Sequence, residues 1–337
     1  MVALERADVL LVSLGSTGGL RAADDDLAGA LRRAGAAVAT VRARPPRPVR
    51  TLALTDLAWA RAARAAARHA LARTDPRAVI YSSSTAASFA PVPGAIRFDA
   101  PAAGNRPGRH GIWQRPLEAR RLREAGLLLP WSAGALEECP QPHAPALVVP
   151  VPISAAGGPP PARDLAAITY GANPRKKGLD RVLNAWTAAR KPGEELLVAG
   201  LDAGQAAREL GPVAAAAPGV RFAGRLAGRD FRALLRRSRV FLTGVRREDY
   251  GIAQLEALSD GCLLVTTAAA GPYAALPIAA RLDPRLVGDD LASGLRTALD
   301  EPCCGYAEAA THALESWRPA EVDRRVAEDL LPRLLEG

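Results

Sequence analysis

The chain has 337 residues, 49% of them hydrophobic and 23% charged, and a formal net charge of +9. That length holds two domains with a full core each, and the balance excludes a disordered or fibrous chain. No uninterrupted apolar stretch reaches the ~18 residues of a membrane span; residues 144–158 are uncharged, but Pro145, Pro150 and Pro152 interrupt them.

The excess charge is uneven. Residues 1–150 hold 20 Arg against 12 Asp and Glu, a balance of +8, whereas the remainder has 24 basic and 23 acidic residues. The basic half suits an anionic partner such as a lipid surface or a phosphorylated acceptor. The five Phe, five Tyr and five Trp do not interleave with the arginines, which argues against nucleic acid. Cys139, Cys262, Cys303 and Cys304 have neither zinc-site nor disulfide-framework spacing, so a reduced, cytoplasmic protein is expected.

In chain order, acid and base occupy the first eight residues and Val9–Leu14 runs into Gly15-Ser16-Thr17-Gly18-Gly19. This predicts a strand, Asp8–Leu14, and a glycine-rich turn rather than a secretory signal. Backbone N–H groups in such a turn, opening the helix Leu20–Ala34, can meet a phosphate or a sugar. Asp24, Asp25 and Asp26 read as acids complementing that helix's dipole. A strand over Ala37–Arg42, a helix over Leu57–Arg73 and a strand at Val79–Ser82 follow. Leu127–Pro130 and Leu147–Val151 read as the last two strands of this half. Arg61, Arg64 and Arg68 recur at helical spacing beside Trp59, and Arg42, Arg44, Arg47 and Arg50 line the loop before them. Such a stripe suits an anionic membrane surface as well as plain solvent.

Gly157-Gly158-Pro159-Pro160-Pro161 reads as the linker. Five more strands follow: Ala166–Tyr170, Leu196–Ala199, Val220–Ala223, Val240–Leu242 and Leu263–Thr266, each ahead of a helical pattern. Alternation of this kind predicts parallel sheets with crossover helices, and ligands at the carboxyl ends of the strands. Lys176 and Lys177 are two of only three lysines in the chain, and both sit in Pro174-Arg175-Lys176-Lys177-Gly178 after the first strand of this half. Further on, Glu248-Asp249-Tyr250-Gly251-Ile252-Ala253-Gln254-Leu255-Glu256 places one carboxylate in a loop before an apolar helix and another more than a turn inside it. Exposed N–H groups between them favour an anion. Hydroxyl, anion, hydroxyl is the order of a sugar, a diphosphate and a ribose.

This glutamate pair, with Ala257-Leu258-Ser259-Asp260-Gly261 behind it, resembles the family 4 type of retaining glycosyltransferases with the GT-B fold. The resemblance implies two Rossmann-like, doubly wound parallel-sheet domains with a cleft between them. It places an acceptor-side domain at 1–155, completed by a C-terminal helix at 318–337, and a nucleotide-sugar domain at 163–317. It implies that Glu256 grips the ribose, that Glu248 and Lys177 serve the transferred sugar and the leaving diphosphate, and that Asp249, Tyr250, Gly251 and Ile252 line the donor. Gly18 and Gly19 match the family's glycine pair facing the donor, and Gly224-Arg225-Leu226 its base-binding turn. Two positions depart from the pattern. Ala172 stands where the family has an arginine, leaving Arg175 or Lys176 to reach the same phosphate. Ile96-Arg97-Phe98-Asp99 lacks the family's histidine, leaving Asp99 or His110 as acceptor-side candidates. The implied activity is metal-independent, retaining transfer from a nucleoside-diphosphate sugar, needing no other cofactor. The acceptor is a cell-envelope lipid or glycan or a small molecule, and contact with the inner face of a membrane is an option. A nucleotide-sugar epimerase or hydrolase and a non-catalytic scaffold are the rival expectations.

Overall fold

In the computed structural model, residues 5–47, 49–155, 157 and 161–336 are described. Most of the expected linker, Gly158-Pro159-Pro160, lies outside them. The described chain divides into two compact units, one made of 1–152 with 319–337 and the other of 153–318.

The first unit is built on a parallel sheet of β1 (Glu5–Ser13), β2 (Val38–Arg42), β3 (Thr74–Tyr81), β4 (Ala95–Phe98) and β5 (Leu128–Pro130), in the order β2-β1-β3-β4-β5. The run Val9–Val12 is apolar at every position because both faces of the sheet are covered. Val9 and Leu11 pack with Leu27 and Leu31 on one face, and Leu10 and Val12 with Ala63, Ala67 and Leu122 on the other. The last segment of the chain joins the first of these faces: Val322, Val326, Leu330 and Leu334 recur every four residues and are buried there. Arg33 clamps it through two bonds to Asp323, each 2.7 Å.

Four expectations for this unit are corrected. Leu147–Val151 is not a strand. Leu147 N and Val149 N do bond to Leu128 O and Pro130 O at 2.9 and 3.0 Å, but Pro150 and Pro152 have no N–H to extend the ladder. The helix expected from Leu57 begins at Leu52, because Thr51 caps it by accepting from Leu54 N at 3.2 Å. Trp59 packs against the core and is not part of an outward stripe, although Arg61, Arg64 and Arg68 are exposed. Asp24 is no solvated dipole partner: it is wholly buried, accepts from Ser13 Oγ at 2.5 Å and faces the equally buried Arg97 at 3.5 Å. Burial pushes its carboxyl up, and Arg97 and Ser13 pull it back only in part.

The second unit repeats the plan with β6 (Leu165–Tyr170), β7 (Leu196–Ala199), β8 (Val220–Gly224), β9 (Ser238–Thr243) and β10 (Leu263–Thr266), ordered β10-β9-β6-β7-β8. From β6 the chain steps outward through β7 and β8, then returns to β9 on the other side. The strand order therefore reverses between β6 and β9, where loops leaving neighbouring carboxyl ends diverge and open a crevice. In the first unit the same reversal lies between β1 and β3. No described helix is long and apolar enough to cross a membrane.

Candidate active site

Pairing of β6 with β9 brings together two loops some seventy residues apart in sequence. The loop after β6 carries Arg175, Lys176 and Lys177; the loop after β9 carries Arg247, Glu248 and Asp249. They touch backbone to backbone. A Cβ added to Gly178, at φ +62°, would lie 1.8 Å from Gly244 O, so only glycine lets the lysine loop pass this close. The loop after β10 supports the other side: Glu248 N donates to Ala270 O at 3.0 Å, and Thr267 Oγ1 to Val245 O at 2.6 Å.

Each lysine takes one acid. Lys177 Nζ lies 2.6 Å from Glu248 Oε2, and Lys176 Nζ 2.6 Å from Asp249 Oδ2. The pairs differ in burial. Side-chain exposure is 21% and 6% for Lys177 and Glu248, against 45% and 9% for Lys176 and Asp249. Glu248 is further held by Gln254 Nε2 at 3.0 Å on Oε2 and by Asp249 N at 3.3 Å on Oε1. Burial pushes the Asp249 carboxyl up, but the Lys176 ammonium and the Arg247 guanidinium outweigh it and hold it below the usual carboxylate range. Arg175 is exposed, and its carbonyl accepts from Arg246 Nη1 at 3.1 Å.

Gly251, at φ +91°, turns this loop into the helix Ile252–Ser259. The first intrahelical acceptor is Gly251 O, taken by Leu255 N at 3.0 Å, so the N–H groups of the first turn lack intrahelical partners. Glu256 lies one turn deeper, partly exposed. Burial pushes its carboxyl up to about 7 although Arg232 Nη1 is 3.8 Å away; Asp260 adds to the rise. Arg232 is itself fixed by a bidentate pair with Asp260 at 2.5 and 2.8 Å. Tyr250 is buried, and its hydroxyl accepts from Trp317 Nε1 at 2.9 Å, so the ring is a packing element. Gly224 ends β8 at φ +68°, with Leu226 half-buried just beyond it.

Residues 165–298 match the family model described as Glycosyl transferases group 1. The lysine loop, the glutamate loop and the Gly251 helix all lie within the matched residues. A search of curated protein sequences gave no match. Among solved structures, the chain is similar to WaaG, a glycosyltransferase involved in lipopolysaccharide biosynthesis, at 18% identity and TM-score 0.68, over 97% of each chain. It is also similar to a sucrose-phosphate synthase from Thermosynechococcus elongatus, at 12% identity and TM-score 0.75, covering 97% of this chain and 98% of that one. HepE of Anabaena, solved with UDP and glucose, matches at 14% identity and TM-score 0.70, over 97% and 99% of the two chains. These likenesses show that the chain has the GT-B fold.

The remaining expected site residues lie in the first unit. Gly18 and Gly19 form the exposed first turn of the helix Gly18–Arg33, immediately after β1 and so at that sheet's point of reversal. Asp99 follows β4, half-buried, its Oδ1 accepting from Ala100 N at 2.9 Å, while His110 is exposed on the 3₁₀ turn Gly108–Gly111. Sequence reasoning missed Gln254, Arg232 and Arg247. Gln254 left a trace, a polar residue on the inner face of an otherwise apolar helix. Arg232 left none, being one of four arginines on the helix Gly228–Arg237.

Proposed function

We propose that this protein transfers a sugar from a nucleoside-diphosphate sugar to an acceptor, with retention of anomeric configuration and without a metal ion. One observation carries the reading. Within the residues that match the group 1 model, two lysine–carboxylate pairs stand at the carboxyl ends of the adjacent strands β6 and β9, beside the open N-terminus of a helix that holds Glu256. HepE, of the same fold, was solved with UDP and glucose, and an E. coli relative of the trehalose-6-phosphate type with UDP-2-fluoro glucose.

In this reading the ribose hydroxyls donate to Glu256 and the sugar hydroxyls to Glu248. The diphosphate sits over the first turn of the helix from Ile252, where helix N–H groups and the macrodipole favour negative charge. Lys177, paired with Glu248 before the donor arrives, turns to the diphosphate, and Arg175, exposed beside it, supplies the second cation. Charge growing on the departing phosphate oxygen then meets donors already in place, which is where such a site gains most rate. Glu248 and Asp249 are each held by a lysine and neither is an obvious nucleophile, so a front-face route fits. The bond from the anomeric carbon to the diphosphate oxygen breaks, the acceptor oxygen bonds to that carbon from the same side, and the acceptor proton passes to the diphosphate oxygen. Asp99 and His110 are the acceptor-side candidates. A cell-envelope lipid or glycan is the favoured acceptor class, in line with the likeness to WaaG.

The test is a panel of nucleoside-diphosphate sugars and acceptors in EDTA, with product configuration read by NMR. Transfer with retention is expected. An inverted product, or activity lost to EDTA and restored by Mn²⁺ or Mg²⁺, overturns the mechanism. No nucleoside diphosphate raising the unfolding temperature would overturn the donor site itself.

A further inference from the structure

From residue 27 to residue 74 the chain has ten arginines and a single acid, Asp56; two of the ten, Arg33 and Arg42, pair with Asp323 and Asp25, and residues 100–117 add Arg106, Arg109 and Arg115 and no acid. Asp56 contributes no outward charge, because it is buried and accepts from Arg106 Nε and Gln114 Nε2, each at 2.6 Å. That pair, with Trp113 Nε1 donating to Ala53 O at 3.1 Å, sets the turn before Ile112 beside the start of the helix Leu52–Leu71. The same corner collects apolar surface. Of the six large apolar side chains exposed among the described residues, four are here: Val49 at 42%, Leu52 at 42%, Leu54 at 51% and Ile112 at 68%. Leu54, Arg61 and Arg68 follow at intervals of seven and share one helix face. Exposed Arg50 and Arg109 flank the aliphatic group.

We infer that this corner of the first unit docks on an anionic lipid bilayer, its aliphatic side chains entering the headgroup–acyl boundary and its arginines bonding lipid phosphates. A clustered apolar surface on a protein marks an interaction site. Aliphatic tips within an arginine rim match a bilayer interface, where guanidinium groups bind phosphate bidentately. A second copy of this chain fits worse, because a two-fold contact would press arginine against arginine with no acid to offset them. Nucleic acid fits worse too, since the exposed side chains are aliphatic and offer no stacking platform. Trp59 takes no part: it faces the core. The inference goes beyond the donor site, and vesicle binding needs no nucleotide.

The experiment is flotation of the full chain with phosphatidylglycerol and with phosphatidylcholine vesicles, at about 50 mM and 500 mM salt, where the screening length changes about threefold. The parent should float with the anionic vesicles and not with the neutral ones. Leu54→Asp combined with Ile112→Asp should lower partitioning at least about tenfold at both salt concentrations. Arg50→Glu combined with Arg109→Glu should lower it mainly at low salt. Ile112→Ser serves as a milder variant, and an unchanged thermal shift by a nucleoside diphosphate shows that each variant remains folded. Equal flotation with both lipids, flotation with neither, or variants that behave as the parent would overturn the inference. So would a parent that ignores vesicles and elutes as a dimer that Ile112→Asp splits, since the patch would then be a self-association face.

Discussion

Removing the Lys177 ammonium tests the donor site most directly. Its Nζ is 2.6 Å from Glu248 Oε2, and the pair is largely withdrawn from solvent, at 21% and 6% side-chain exposure. Hydrogen bonds to charged groups contribute about 1.5–3 kcal/mol, and the partly wet lysine places this one at the lower end, near 2 kcal/mol. Lys176→Ala breaks a pair whose lysine is 45% exposed, for which at most about 1 kcal/mol is expected. A double-mutant cycle of Lys177→Ala with Glu248→Gln should therefore return a coupling near 2 kcal/mol, read by calorimetric unfolding. In a unit of this size each kcal/mol moves the midpoint by roughly 2–4 °C. With the donor bound the same ammonium faces the leaving diphosphate, so kcat should fall about thirtyfold in Lys177→Ala and less than about fivefold in Lys176→Ala. A coupling below about 0.5 kcal/mol, or equal kinetic losses at the two lysines, would refute both the pairing and the assignment of Lys177.

Three further outcomes follow from particular groups. Glu256, with its carboxyl pushed up to about 7, changes charge in the physiological range. Affinity for the nucleoside diphosphate should rise from pH 6 to pH 8 as that carboxylate becomes a stronger acceptor, and Glu256→Gln should flatten the rise; identical titration profiles would count against a ribose contact. Gln254→Leu deletes the 3.0 Å bond that orients Glu248. Sugar transfer should drop roughly tenfold while nucleoside diphosphate affinity stays within about twofold, and an equal loss in both would mean the change is merely structural. Glu118 is buried, accepts from Ala102 N at 2.6 Å through Oε2, and has its carboxyl raised by burial to about 7. Because the folded value lies above the unfolded one, stability is fully present below about pH 4.5 and is lost as pH rises through 7, by about 3 kcal/mol. Glu118→Gln should therefore unfold at a higher temperature than the parent at pH 8 and not at pH 4.

Much of the architecture was legible because parallel strands buried on both faces must be apolar at every position. Leu196–Ala199 and Leu263–Thr266 are strands with the bounds their apolar runs mark, and the helix Leu179–Ala189 begins right after its glycine. Lys177-Gly178 and Glu248–Glu256 were legible for a related reason. Close backbone approach demands glycine, and charge at a strand's carboxyl end stands out against an apolar run. The sequence could not say which charges would meet. Lys177 finds Glu248, and Arg232 finds Asp260, through the lateral order of strands, which joins segments far apart in the chain. Nor could it distinguish Asp24 from Asp25. Both sit on one helix, yet the 100° between successive residues sends Asp24 into the core against Arg97 and Asp25 outward to Arg42. Local periodicity sets which residues form an element, but burial and partnership depend on the face that element turns to its neighbours, and only the folded chain defines that face.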